Sequence, residues 1–419
     1  MKLLFTGPLL DFSGFAHASR MFLRTLLQDP ELTITARALK YDQLDPGQQF
    51  LPEPWLTTAL ANDLQGVDMA IQMTTSNVEA VPIPGVVNGL YTFLESSHIQ
   101  VSWAAKANEF DFLLVPSAAN AQAMLNSGVR KPIVVCGLPC DTDIFQKEHQ
   151  PFQIEHAGDR TVFYNICQLS SKKGIDALLR AYYAAFWDCP DEVLLVLKTY
   201  INMHGRTNDL EIVKQYIQGI RQRCRIPAER HPPVLPIVHT MSDDEINGLH
   251  ARGDAYVCSS RAEGWGIPVF DALGIGKTVI TNIGGGMADY ITPDNALVYG
   301  GMATYFFDTP HPDPGLFTGL EQCFEPCIPE MALVMRNFHL LRKGSKAGQL
   351  DANNQTQWEN VLIRRENAKV VGQKYDYRRI WPIVTKQLHA AHKMWKETGT
   401  VDFNEIAKKN TEVQPSPVR

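Results

Sequence analysis

Short apolar runs alternate along this chain with longer stretches in which apolar residues recur every three or four positions. Lys2 to Gly7, LTITARAL, VDMAIQM, VVNGLYTF, DFLLVPS and PIVVC have the length and apolar density of buried strands in the N-terminal part. TVFYNICQL, EVLLVLKTY, PPVLPIVHT, DAYVCSS and KTVITN have the same character further on. Between them lie helical patterns. One runs from about Ala16 to Gln28, with Ala18, Phe22 and Leu26 on one line and Leu23 and Leu27 beside it, and stops at Asp29-Pro30. AANAQAMLNS follows, capped by Gly128, and then a helix carrying Leu178, Leu179, Tyr182 and Phe186. Asp209 to Arg223, MSDDEINGLHARG and Trp358 to Lys396 complete the set. Strands without polar alternation, each followed by an amphipathic helix, predict parallel sheets covered on both faces, an α/β doubly wound architecture. From about 300 to 355 the chain is proline-rich and then basic, and the pattern assigns no element.

A length of 419 residues suits two to three domains. At 45% hydrophobic and 20% charged, the composition is that of a folded globular protein. No apolar run reaches the ~18 residues that a membrane span needs. The first residues, MKLLFTGPLLDF, are broken by Pro8 and Asp11 and read as a first strand rather than a signal peptide. The eight cysteines show no metal-ligand spacing, Cys136 and Cys140 included, and are expected to be reduced, cytoplasmic thiols. Charge is uneven. Residues 1–150 carry 9 Lys/Arg against 15 Asp/Glu, the remainder carries 30 of each, and Tyr41 to Ala105 contains no cation at all. DNA and anionic lipid need a basic stripe, so the N-terminal part predicts a largely neutral partner and makes nucleic acid unlikely.

The chemistry concentrates between Asp254 and Ile291. There a strand runs into a turn with Gly264 and Gly266, which opens a helix with Pro268 in its first turn. Backbone N–H groups of such a turn, together with the helix dipole, favour an anion. Glu263 precedes the turn and Asp271 lies eight positions later, so donors for a phosphate stand beside acceptors for hydroxyls. GIGKT, Gly274 to Thr278, imitates the end of a nucleotide-binding P-loop, but position 271 is Asp rather than Gly and a strand follows instead of a helix. Lys172-Lys173-Gly174 form a second strand-to-helix turn. Two ammonium groups at the unfavourable end of a helix dipole point to a bound anion, such as a diphosphate leaving group.

EGWGIPVFDALGIGKTVITNIGG resembles the donor signature of the retaining family-four (group 1) glycosyltransferases of the GT-B fold, in which a Glu and a second Glu are separated by seven residues. The resemblance implies two Rossmann-like doubly wound domains with an interdomain cleft, closing at a hinge around 146–160. The N-terminal acceptor-binding domain would span 1–150 and the nucleotide-sugar donor domain 151–375. A terminal helix in 376–419 would cross back to the first domain, and the tail after Asn410 would be disordered. Glu263 would contact the transferred sugar. Asp271, one methylene shorter than the family's second Glu, would bind the ribose. Ile267 and Val269 would meet the base edge, and Gly264, Trp265, Gly266 and Pro268 would complete the donor loop. Lys172 and Lys173 match the family's basic pair, although Gln168 stands where some branches have Arg.

Gly14, in the first glycine loop, would let backbone approach the donor, with His17 and Arg20 on the helix behind it. Lys198 is a further candidate for the nucleotide. The loop Gly284-Gly285-Gly286 is expected to pass close to the ligand. After the central strand of the first domain, Glu95 or His98 would face the sugar's reacting carbon, Glu95 being favoured. Asp141-Thr142-Asp143 spells the Asp-x-Asp of metal-dependent transferases of another fold. Here both carboxylates read as turn formers, and metal dependence is the minority reading. The implied reaction transfers a sugar from a nucleotide-sugar donor to a hydroxyl acceptor (glycan, lipid-linked or small molecule), with retention and without metal or other cofactor. A nucleotide-sugar epimerase of the same fold and a non-catalytic sugar-nucleotide-binding protein stay open.

Overall fold

The computed structural model describes residues 1–39, 50–63, 65–75, 80–155, 157–201, 209–306, 317–403 and 405–406. The expected tail after Asn410 lies outside them. The chain divides into two compact units. One holds Met1–Leu94, His98–Asp141 and the residues from Lys374 onward, and the other holds Glu95–Ser97 and Thr142–Gln373.

The first unit is built on six parallel strands, β1 (Lys2–Pro8), β2 (Thr33–Leu39), β3 (Met69–Met73), β4 (Val87–Tyr91), β5 (Phe112–Val115) and β6 (Ile133–Val135), in the order β2-β1-β3-β4-β5-β6. MAIQM and VNGLY are buried at every position, as strands covered on both faces must be. Helices α1 (Gly14–Leu26), α2 (Pro54–Ala61), α3 (Val101–Ala107) and α4 (Ala118–Asn126) connect them. α1 begins two residues before the expected Ala16 because Ser13 caps it, accepting from the Ala16 N–H at 3.1 Å. Its Ala18, Phe22 and Leu26 face the core as the pattern predicts.

The second unit carries α5 (Thr142–Gln146), α6 (Ile175–Phe186), α7 (Asp209–Cys224), α8 (Asp243–Arg252), α9 (Ile267–Gly274), α10 (Ile328–Ala347) and most of α11 (Ala352–Lys374). Its parallel sheet comprises β7 (Thr161–Gln168), β8 (Val193–Tyr200), β9 (Val234–Ile237), β10 (Ala255–Val257), β11 (Thr278–Thr281) and β12 (Leu297–Val298), in the order β12-β11-β10-β7-β8-β9. The chain leaves β7 toward β8 and β9, then returns to the other side of β7 as β10. Strand order therefore reverses between β7 and β10, and the carboxyl ends of strands at such a reversal are where open α/β sheets take ligands. Phe163, Leu195, Leu197, Val257 and Ile280 from the sheet pack against Tyr182 and Phe186 of α6 and Met335 and Phe338 of α10.

Several local expectations change. The Asp141–Asp143 turn becomes α5, a short helix, and the Asp141 carboxylate is ion-paired to Arg24 at 2.8 Å and to Arg378 at 3.6 Å. The stretch from Trp358 to Lys396 is two helices, because the chain breaks at Tyr375-Asp376 and restarts as α12 (Tyr377–Thr398) with Asp376 accepting from the Arg378 N–H at 2.9 Å. The unassigned region contains an antiparallel hairpin of β13 (Gly301–Tyr305) and β14 (Gln322–Pro326), followed by α10. All eight cysteines are free thiols. No helix among the described residues is long and apolar enough to cross a membrane.

Candidate functional site

Two segments meet at the strand-order reversal of the second unit. After β7 the chain makes a single 3-10 turn, Ser171–Lys173, and enters α6 through Gly174 in the left-handed region, with φ of 61°. Glycine is required twice over: the conformation is unfavourable with a side chain, and a Cβ there would sit 2.1 Å from the Ser259 carbonyl oxygen. The exit from β10 clamps this turn. The Arg261 N–H donates to the Lys172 carbonyl at 2.7 Å, the Ser259 hydroxyl to the Lys173 carbonyl at 3.0 Å, and Arg261 Nη1 to the Ser171 carbonyl at 2.6 Å. The Arg261 guanidinium is itself buried, bonded to both Asp176 oxygens at 2.9 and 3.0 Å and to both oxygens of Glu325.

The side chains of the turn form a charged quartet. Lys173 Nζ lies 2.8 Å from Glu263 Oε1 and 3.2 Å from Glu95 Oε1, and Lys172 Nζ bonds Glu95 Oε2. Ser260 Oγ donates to Glu263 Oε1 at 2.6 Å. Burial pushes the Glu95 carboxyl up, but Lys172 and Lys173 outweigh it and hold the group at about 2. Burial likewise opposes the Lys173 charge, and Glu263 and Glu95 together keep its ammonium above the usual lysine range. Both groups are ionised at neutral pH. Lys198, buried near the end of β8, and Lys173 both act on the Cys167 thiol, which places Lys198 at the same carboxyl edge. Burial drives that thiol above its ordinary range regardless.

Beyond Glu263 the glycine turn leads to α9, with Gly266 at φ 84° as its N-cap and Pro268 in the first turn. The Gly286 N–H holds the Glu263 carbonyl at 2.8 Å, and Gly285 takes φ of 58° to pass it, since a Cβ would meet that oxygen at 2.4 Å. This is where the expected glycine loop approaches the site. Two assignments change here. Trp265 is 2% exposed, with its ring against Tyr290 and Phe270, and Val269 is 1% exposed. Both side chains belong to the core, so each offers a ligand only its main chain. Ile267 and Pro268 are half-buried.

Asp271 is half-buried on α9. Burial first, then the charge of Asp243, raises its carboxyl from 3.8 to about 8. No donor among the described residues relieves it. An acid with a folded pKa above its unfolded one holds its proton more tightly when folded, so stability falls as pH rises from about 4 to about 8. Asp271→Asn should flatten that slope and be more stable than wild type at pH 8. Denaturant midpoints measured at half-unit pH steps check this, and a parallel slope in the variant would refute it.

Gly14, His17 and His98 belong to the first unit, Gly14 exposed and the two histidines half-buried. Arg20 is buried and donates to the carbonyls of Leu9 at 3.2 Å and Asp11 at 2.8 Å, so it braces the loop after β1. The structure brings Lys172, Lys173, Glu263 and Glu95 together, with Glu95 paired to both lysines. Ser259, Ser260, Arg261 and Tyr290 were not anticipated. The last donates to the Trp265 carbonyl at 2.6 Å and fixes the glycine turn. One signal for Arg261 was available, a cation a few residues after the buried strand β10.

No protein-family model matches the sequence, and no curated protein matches it. Solved structures do match. The UDP-forming α,α-trehalose-phosphate synthase from Burkholderia xenovorans, in complex with glucose-6-phosphate, aligns with a TM-score of 0.62 at 10% identity, over 92% of this chain and 100% of that one. Anabaena HepE in complex with UDP-glucose gives 0.56 at 14% identity, over 93% and 100%. The trehalose-6-phosphate synthase OtsA gives 0.62 at 10%, over 93% and 99%. At these identities the likeness defines the fold. The chain has the GT-B fold, with two Rossmann-like doubly wound domains.

Proposed function

We propose that this protein is a cytoplasmic glycosyltransferase that moves a sugar from a nucleotide-sugar donor to a hydroxyl acceptor, with retention of configuration and without a metal. The observation that carries the reading is the Lys172–Lys173 turn beside Glu263 and the glycine-turn N-terminus of α9, all at the strand-order reversal of the second sheet. The lysines and the Gly264–Gly266 main chain would hold the diphosphate, Glu263 the hydroxyls of the transferred sugar, and Asp271 the ribose diol. UDP-glucose bound to HepE supports this donor class.

In the reaction, the bond between the anomeric carbon and the diphosphate oxygen breaks and a bond to the acceptor oxygen forms. The acceptor proton passes to the departing phosphate, which leaves as a nucleoside diphosphate. Fixed cations aimed at the oxygen on which charge develops stabilise that transition state and need no protein nucleophile. Eight free thiols fit a reducing compartment.

Thermal unfolding against UDP, GDP and ADP and their sugar conjugates, with and without chelator, tests the reading. About 100-fold excess of a ligand over its Kd adds ~2.7 kcal/mol to stability. A clear upward shift with one nucleotide series, unchanged by chelator, is expected. Silence across the panel would remove the proposal.

A further inference from the structure

In the free protein the anion site is already occupied from within the chain. Lys172 and Lys173 are paired there with Glu95 and Glu263, so these four groups carry no net charge among themselves. The two carboxylates are held differently. Glu263 is fixed from both ends, its Oε1 accepting from Ser260 at 2.6 Å and its carbonyl from Gly286 at 2.8 Å. Glu95 is more exposed, at 26% against 12% for Glu263. Among the described residues its bonds to side chains are to the lysines, with Oε2 taking Lys172 and Oε1 taking Lys173 at 3.2 Å. A carboxylate that gives one oxygen to each of two ammonium groups makes the contacts two phosphate oxygens would make. Its short segment is tied to β14 at Ser97, whose N–H donates to the Gln322 carbonyl at 3.3 Å and whose hydroxyl accepts from the Gln322 N–H at 2.9 Å.

Resting on the nucleotide-sugar reading, we propose that Glu95 is a built-in competitor for the diphosphate: it fills the anion site of the free protein and must surrender Lys172 and Lys173 when the donor binds. A diphosphate entering the quartet with Glu95 in place would gain no net attraction and would stand against a carboxylate. With Glu95 withdrawn, Lys172 is uncovered, Lys173 keeps only Glu263, and the site faces the diphosphate with a net positive charge. The ionic hold of the lysines on Glu95 therefore sets the threshold that an anion must exceed. Weakly charged ligands, inorganic monoanions among them, are excluded by the same means.

The test titrates inorganic pyrophosphate and uridine diphosphate into the full-length wild type, Glu95→Gln and Glu95→Asp by calorimetry. Glu95→Gln keeps the shape and removes the charge, and should bind both anions about tenfold more tightly. Glu95→Asp keeps the charge and should stay near wild type. A merely structural Glu95 would give weaker binding in both variants, which overturns the proposal, as does equal binding by Glu95→Gln and wild type. No binding of either anion to any of the three proteins also overturns it, because uncovering Lys172 must create affinity. Tighter pyrophosphate binding by Glu95→Gln without any uridine diphosphate binding would uphold the competitor and remove the nucleotide-sugar reading instead. Glu95→Ala, read the same way, replaces Glu95→Gln if that variant does not fold.

Discussion

Replacing Lys173 by methionine should lower kcat with the preferred nucleotide sugar by about 10²–10³-fold, the loss typical of deleting one preorganised electrostatic contact to a developing charge. Lys173 is the one residue of the quartet that touches both carboxylates, at 2.8 and 3.2 Å. Methionine keeps the length of the buried stem and removes the ammonium alone. Two effects then act together. The leaving diphosphate loses a cation in a site shielded from water, and Glu95 and Glu263 are left facing each other through the space it occupied. Donor-induced thermal stabilisation should fall with turnover, because the same cation serves ground-state binding. Steady-state rates combined with a donor titration check both arms. Turnover within threefold of wild type would remove Lys173 from the chemistry.

The second large effect falls on stability. Arg261→Met should destabilise the protein by about 2–3 kcal/mol, below the ~3–5 kcal/mol seen when a fully buried ion pair loses one partner. The discount reflects Asp176 and Glu325, which are 29% and 35% exposed while the arginine is 9% exposed. Burial opposes the guanidinium charge, and its bonds to Glu325 and Asp176 more than restore it, so its pKa lies above the ordinary arginine range. Arg261 also bonds the Ser171 carbonyl, so its removal loosens the turn that aims the two lysines. Arg261→Lys should recover part of the stability but little of the donor affinity, since an ammonium cannot bridge two carboxylates and a carbonyl in one plane. Denaturant unfolding separates this from Lys173→Met. The Arg261 variant moves the midpoint first, and the Lys173 variant moves kcat first.

The strands were legible because doubly covered strands leave no polar positions to confuse the period, as MAIQM and VNGLY show. The lysine turn and Glu263 were legible because both rest on local turn chemistry written in consecutive residues. Arg261 was not, since its carboxylate partners lie 85 and 64 positions away and only tertiary folding brings them in. Trp265 and Val269 sit inside the donor motif, yet letters alone do not say which way a side chain turns, and both turned inward. The helices α2 and α3 span too few turns to establish a period. In α10 the buried Met331, Met335 and Phe338 do keep helical spacing, but Arg336 among them and the basic residues that follow masked it.

The position of α12 in the chain has a consequence for synthesis. α12 packs on α1, and the Cys140 N–H and carbonyl pair with Tyr375 and Tyr377, each at 2.9 Å, at the start of the returning segment. The first unit therefore needs a helix that is made after the second unit's sheet, whose described strands are complete once Pro326 has emerged. The ribosome delivers the first unit's sheet well before α12. Until then the face of α1 that α12 covers has no partner from its own unit, and this is the interval in which a nascent chain is open to aggregation and to capture by chaperones.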